Sequence, residues 1–422
     1  MQTVDLIIKN AAQVVTCANN SQPKRGKQML DAGIIENGAI AIHQGEIIAV
    51  DETSALLENY RSDKIVDTTG KSIIPGLVDC HTHVPHAGNR YGEFEMRVQG
   101  KSYMDIMNAG GGILSTVRAT RAASLEELIS LSESRLQTML QWGTTTVELK
   151  TGYGLSAEAE SKQMQAILAV ADSQPMTIIP TFLGAHTKAP ELNSAADYLE
   201  SIFSDSMPQV QALCEEKGIT PFVDIFVEKG VFTVEHMKRY FQIAKENGLP
   251  LKAHLDQFEH LGAVPIAVEM GAISVDHLEV TPEADLEILA QSDTVGVMLP
   301  SVNFNLGICQ YGNARHLIDS GGILALATDY NPGSSPTMNL ALVMAIACRF
   351  QELLPAEALN ACTINAAAAL NLQDKVGSLE TGKQADFVIL DTDDYRAMIV
   401  EFGRNFTKTV YIKGKQVWTT LS

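Results

Sequence analysis

Eight short apolar runs recur through the middle of this 422-residue chain, separated by stretches with helical patterning. They fall at residues 72–79, 144–149, 177–183, 222–226, 251–254, 272–277, 295–299 and 323–328. Segments such as Leu125–Trp142 and Ala157–Ala171 carry the helix-like texture between them. A strand that is apolar on both faces needs a cover on both sides, which parallel sheets obtain from their crossover helices. Alternation sustained over about 300 residues therefore predicts an α/β fold, and a closed (β/α)8 barrel is its natural form.

The two ends of the chain read differently. Residues 4–50 show short alternating runs bounded by Gly, Asn and Lys, which predict strands and hairpins. The same texture returns at residues 385–390 and 410–418. We expect one small β-sandwich domain assembled from both termini, residues 1–70 and 378–422, around a barrel spanning residues 71–377.

Charge excludes two classes of partner. With 31 Lys and Arg against 50 Asp and Glu, the formal net charge is −19. Such a chain is repelled by phosphate backbones and anionic lipid, so neither nucleic acid nor membrane is expected as a partner. The start, MQTVDLIIKNAAQVV, has no basic segment ahead of a long apolar one and does not read as a signal peptide. No apolar run reaches the length of a membrane span. The six cysteines are scattered with no C-x-x-C pair, which predicts buried reduced thiols in a cytoplasmic protein.

The chemistry lies in where the His and Asp residues fall. His81, His83, His186, His254, His277 and Asp329 all sit at or just past the C-terminal ends of the predicted strands. That rim carries the active site in a (β/α)8 barrel. In extended chain, His81 and His83 point to one side and can reach one ion. Alone the pair is weak, since ten His in 422 residues supply roughly 0.2 such pairs by chance. The buried run Pro75–Cys80 leading straight into it strengthens the reading. With His254 and Asp329 the pair makes three imidazoles and a carboxylate, a set that suits Zn or Fe with one open position. Water there ionises near neutral pH. Asp329 could relay its proton, and His277 could polarise a carbonyl or shuttle a proton.

The ordered set His81-Thr82-His83, His254, Val275-Asp276-His277-Leu278 and Thr328-Asp329 resembles the amidohydrolase superfamily, whose members share a distorted eight-stranded barrel with a β-domain from both termini. Asn89-Arg90, GGGILSTV at 110–117, ELKTGYGL at 148–155, FLGAH at 182–186 and TDYNPGSSP at 328–336 narrow the resemblance to the imidazolonepropionase family of histidine degradation. The resemblance implies hydrolysis of 4-imidazolone-5-propanoate to N-formimidoyl-L-glutamate, an acidic small-molecule substrate, and a homodimer. It also implies that His186 contacts the imidazolone ring and that Asn331, Gly333 and Ser334 hold the newly formed carboxylate. Arg90 is the candidate for a bidentate grip on the propionate, and Tyr103 and Tyr153 for further hydrogen bonds.

Several neighbouring features refine this. The run Asn331–Pro336 is expected to open a helix and present backbone N–H groups to an anion. Gly110-Gly111-Gly112 lacks the Lys and Ser/Thr of a phosphate loop and reads as a lid or a plain connection at the site mouth. Lys150 follows the second barrel strand, not the fourth where binuclear relatives carry a bridging Lys, so one metal is expected. Gln257 stands three residues after His254, where barrel deaminases carry Glu; it can hydrogen-bond a ring edge but cannot shuttle a proton. We place it beside His277 and Asp329 in the catalytic set. His86 is expected on the rim or exposed, and His43, His236, His260 and His316 are expected to be structural or solvated. Two other readings stay open: a related hydrolase or aryl deaminase with another substrate, and a metal-free scaffold.

Overall fold

The computed structural model describes residues 1–102, 105–106 and 109–420. Eight parallel strands pair in chain order: β1 (Leu77–Asp79), β2 (Thr144–Lys150), β3 (Thr177–Ala185), β4 (Phe222–Val227), β5 (Leu251–Leu255), β6 (Ser274–His277), β7 (Val295–Met298) and β8 (Leu324–Leu326). Each coincides with one of the runs read from the sequence. The apolar outward residues meet helices that the sequence starts cleanly. Ser124 and Ser156 accept the Glu127 and Ala159 amides and so cap helices Leu125–Gln141 and Ala157–Ser173. Leu128, Leu136, Met164, Ile167 and Val170 on these helices are buried. No described helix is long and apolar enough to cross a membrane.

The first run divides. Ser72–Pro75 pairs with Phe387–Leu390 and with Leu6–Val15, whereas Leu77–Asp79 enters the barrel. Gly76 makes the passage, and a Cβ there would overlap the Thr145 side chain. The remaining strands of that second sheet are Ile34–His43 and Glu46–Glu52 on one flank, Thr407–Ile412 and Lys415–Thr419 on the other, with Ile65–Asp67 beside Leu6–Val15. It is a mixed sheet built from both chain termini, as expected.

No ladder joins β8 to β1 among the described residues, so the barrel is nearly rather than fully closed. Side chains seal the seam. Asp79 accepts from the Thr328 amide at 3.1 Å and from its hydroxyl at 2.7 Å, and a bridge joins Thr82 to Tyr330. Both Asp79 and Thr328 are fully buried. Thr328→Val removes a donor from a buried carboxyl, and also the acceptor of the Tyr330 amide. We expect it to cost about 1–3 kcal/mol in urea unfolding of metal-stripped protein. An unchanged midpoint would show that the seam contributes nothing.

Candidate active site

The C-terminal ends of the strands converge on one buried group of rings. His81 lies 4.4 Å from His254 and 5.4 Å from His83 between ring centroids, and His254 lies 5.2 Å from His277. Asp329 Oδ1 stands 3.5 Å from His81 Nε2 and 3.2 Å from His83 Nε2. All five residues are buried. Buried polar atoms are normally paired, yet His81 Nε2 and His254 Nε2 have no hydrogen-bond partner among the described residues. His81, His83 and Asp329 form one ligand-competent group and His81, His254 and His277 another, so the rings and the carboxylate make a buried His/Asp metal-binding cluster.

Alternation along the strands builds the support beneath it. Lys252 and His254 share one face of β5, Glu148 and Lys150 one face of β2, and Ser274 and Asp276 one face of β6. Asp276 Oδ2 lies 2.6 Å from His81 Nδ1, and Asp224 Oδ1 lies 3.0 Å from His254 Nδ1. These carboxylates take the Nδ1–H and leave Nε2 for an ion. Lys150 is 2.7 Å from Asp224 and 2.9 Å from Glu148, and Lys252 is 2.8 Å from Glu148. Burial opposes the Lys150 ammonium, but Asp224 and Glu148 outweigh it and hold the group protonated. Burial also pushes His254 down to about 4 and His81 well below its ordinary range, so both rings are neutral and able to ligate.

Two of the site residues break strand geometry. His277 and Asp329 adopt φ of +87° and +49°, a region that non-glycine residues rarely enter. Strict alternation would send His277 outward after inward-facing Asp276; the left-handed backbone turns its ring over the mouth. Its Nδ1 meets Glu279 Oε1 at 3.2 Å. Burial works against the imidazolium, but Glu279 prevails and raises the His277 pKa above its ordinary value. For Asp329, burial opposes the carboxylate, but the hydrogen bond from His83 and the nearby His83, His277 and His254 rings together outweigh it and lower its pKa.

A cavity of about 90 Å³ lies over the cluster, lined by His83, Arg90, Tyr153, His186, His254, Gln257, His277, Asp329, Asn331 and Ser334, with Ile113 and Phe226 as its apolar walls. Glu160 accepts the amides of Gly152, Gly154 and Leu155, folding that loop so that Tyr153 enters the site. Burial raises the Tyr153 pKa, so the phenol remains a donor. His186 stacks on His83 at 5.0 Å and contacts Gly152 O through Nδ1 at 3.1 Å. Every sequence-predicted site residue but two therefore lines this cavity or supports it: Tyr103 lies outside the described residues, and Gly333 lines an adjoining cavity instead.

Four expectations need correction. The segment after Asp329 opens no helix: the next one is Leu340–Phe350, capped by Asn339. The Gly333 and Ser334 amides donate to Asn331 Oδ1 at 2.8 Å each, so the Asn side chain already fills the role expected of an anion. His86 is buried rather than exposed, its Nδ1 2.8 Å from His83 O. Cys309 is exposed and Cys348 partly so; the other four cysteines are buried.

Arg90 lines the cavity but is not free. Its Nε and Nη2 donate to Glu93 Oε2 at 2.8 and 2.6 Å, while Glu93 Oε1 accepts from the Gly112 amide at 2.9 Å. The glycine run thus anchors the arginine's partner. Glu93 and Asp224 were not singled out from sequence. Asp224 had a signal, a lone charge within an apolar strand; Glu93 had none beyond its spacing of three from Arg90. Gly333 packs so closely on Arg90 that a Cβ would overlap the guanidinium. Gly333→Ala should raise KM for an acidic substrate about tenfold with kcat little changed. Unaltered KM in steady-state kinetics would show that Arg90 has room to move aside.

A nearly closed eight-stranded barrel, a sheet from both termini and a His/Asp cluster at the strand ends define a metal-dependent hydrolase fold, and the chain belongs to the amidohydrolase family, whose model matches residues 72–417. Among solved structures it is similar to an adenosine deaminase from Xanthomonas campestris with bound zinc (TM-score 0.75, 20% identity, 98% of this chain and 93% of that one) and to E. coli guanine deaminase (TM-score 0.72, 19% identity, 100% of both). At such identity the likeness concerns the fold. Within the family the chain belongs to the imidazolonepropionases. It is 44% identical to the imidazolonepropionase of Chloroflexus aggregans over 99% of this chain and 100% of that one. It is 42% identical to that of Alkaliphilus metalliredigens over 98% of each.

Proposed function

We propose that this chain hydrolyses the ring amide of 4-imidazolone-5-propanoate to N-formimidoyl-L-glutamate, with one zinc or iron ion held by His81, His83, His254 and Asp329. One observation carries the reading: a single cavity is lined both by the cluster and by Arg90, which provides for a reactive cyclic amide at one end and an acidic tail at the other. The orphan Nε2 atoms of His81 and His254 fit an ion there. When bound, such an ion supplies a Lewis acid that polarises a carbonyl oxygen and lowers the pKa of water.

The chain's own residues do the rest. Asp329 Oδ2, held by Asn331 Nδ2 at 3.0 Å and Ser334 Oγ at 3.3 Å, accepts the proton released by the attacking water and passes it to the ring nitrogen as the C–N bond opens. His277, whose pKa is raised by Glu279, donates in its protonated form to the carbonyl oxygen as negative charge develops there. His186 and Gln257 hold the ring edge, Tyr153 donates to the substrate, and Arg90 faces the propionate. Asn331 and Ser334 border the cavity and hold Asp329 in place. Tyr103 completes the binding set. Gln257 has no proton to deliver to a departing amine, which favours ring opening over deamination. We further read the enzyme as a homodimer, from the family resemblance, and as cytoplasmic, from its six unpaired cysteines.

The test is to supply freshly generated 4-imidazolone-5-propanoate and follow ring absorbance together with product by NMR. Formation of N-formimidoyl-L-glutamate at the rate of ring loss supports the assignment. Loss of absorbance without that product would require a different reaction.

A further inference from the structure

Arg90 has only part of its donor set to offer. A carboxylate is gripped best by two parallel N–H groups from one guanidinium edge, and here Glu93 Oε2 occupies the Nε/Nη2 edge. That leaves the second Nη2 N–H and both Nη1 N–H groups, and Nη1 packs on Gly333. A second guanidinium reaches the same residue from helix Tyr91–Val98: Arg97 Nη2 donates to Gly333 O at 3.2 Å. Arg97 Nε is buried and has no hydrogen-bond partner among the described residues. Burial, and after it the nearby Arg90 charge, lower the Arg97 pKa, as expected for two cations crowded at one place.

Both arginines line a wider cavity of about 440 Å³ that shares Ile113, His186, Phe226 and Gln257 with the one over the metal cluster. Lys101 also lines it, and Glu93 is its sole carboxylate among the described residues. Three cations against one anion is an inversion in a chain of net charge −19. Such a local excess attracts and orients an anion.

We propose that Arg97 is a second carboxylate receptor, sharing the substrate's acidic tail with Arg90 at the junction of the two cavities. Arg90 contributes its free Nη1/Nη2 edge while Glu93 keeps the Nε side fixed, and Arg97 supplies further donors. The pair then selects a carboxylate over a neutral amide of the same length. The inference rests on the acidic-substrate reading above.

The probe is imidazole-4-propionate, which carries the acidic tail but no scissile amide, with imidazole-4-propanamide as the neutral control. Calorimetric Kd values are compared for the wild-type holoenzyme, Arg97→Ala and Arg97→Lys, each checked for an unchanged melting curve. Arg97→Ala should weaken the acid about 10- to 100-fold and the amide less than about threefold, with Arg97→Lys between. In turnover the loss should appear in KM more than in kcat. If wild type binds the acid and Arg97→Ala binds it equally well, the proposal is wrong and Arg90 alone grips the carboxylate. If wild type shows no preference for the acid over the amide, the acidic-substrate reading itself fails. Should Arg97→Ala melt early, Arg97→Lys decides: full affinity for the acid overturns the two-arginine contact.

Discussion

Asp329→Asn should reduce kcat for 4-imidazolone-5-propanoate by about 10³- to 10⁴-fold while the protein stays folded. Asparagine tolerates the left-handed backbone at this position better than any other uncharged side chain of its size. It also keeps a carbonyl oxygen for the Asn331 and Ser334 donors. What it loses is the ability to accept a proton and the charge that faces His81 and His83. A loss confined to the chemical step, with near-native melting of the stripped protein, is the expected pattern. A residual rate within tenfold of wild type would remove Asp329 from the mechanism.

The second large effect concerns Arg90. Arg90→Ala strips the cavity of a guanidinium and leaves buried Glu93 with the Gly112 amide and the Ser115 hydroxyl as its remaining partners among the described residues. Truncating one member of a buried, hydrogen-bonded charge pair is costly. We expect kcat/KM for the acidic substrate to fall by about 10²- to 10³-fold, and for an uncharged lactam of similar shape by less than about tenfold. Equal losses on both would mean that Arg90 supports the fold of the mouth and does not read the propionate.

Much of this architecture was legible because its signals are local and periodic. Each barrel strand is a short apolar run, and the clustered histidines are legible as polar residues ending such runs. The break at Gly76 was missed: Pro75-Gly76 is a chain-break signal, but the apolar residues on both sides of it read as one strand, and nothing local says that two sheets claim the two halves. Burial of His86 was invisible for a similar reason, since the contacts around it are distant in sequence, with Arg135 reaching across to the Val84 and His86 carbonyls. The left-handed turns at His277 and Asp329 leave no trace in a sequence either, as neither position is a glycine. The expected helix after Asp329 failed through side-chain chemistry: Asn331 satisfies the amides of its own turn, and the chain runs on to Asn339 before a helix starts. Arg90 was legible as a cation at the mouth. Its partner was not, because a Glu three residues away on an unremarked helix looks like any surface pair.

The most direct test of the account is reconstitution of metal-stripped enzyme with zinc or iron(II) while turnover of 4-imidazolone-5-propanoate is followed. Activity should rise in proportion to added metal and level off at one equivalent per chain, and His254→Ala should abolish that rise. Full turnover by the stripped protein, or a plateau reached only at two equivalents, would contradict a single ion held by His81, His83, His254 and Asp329.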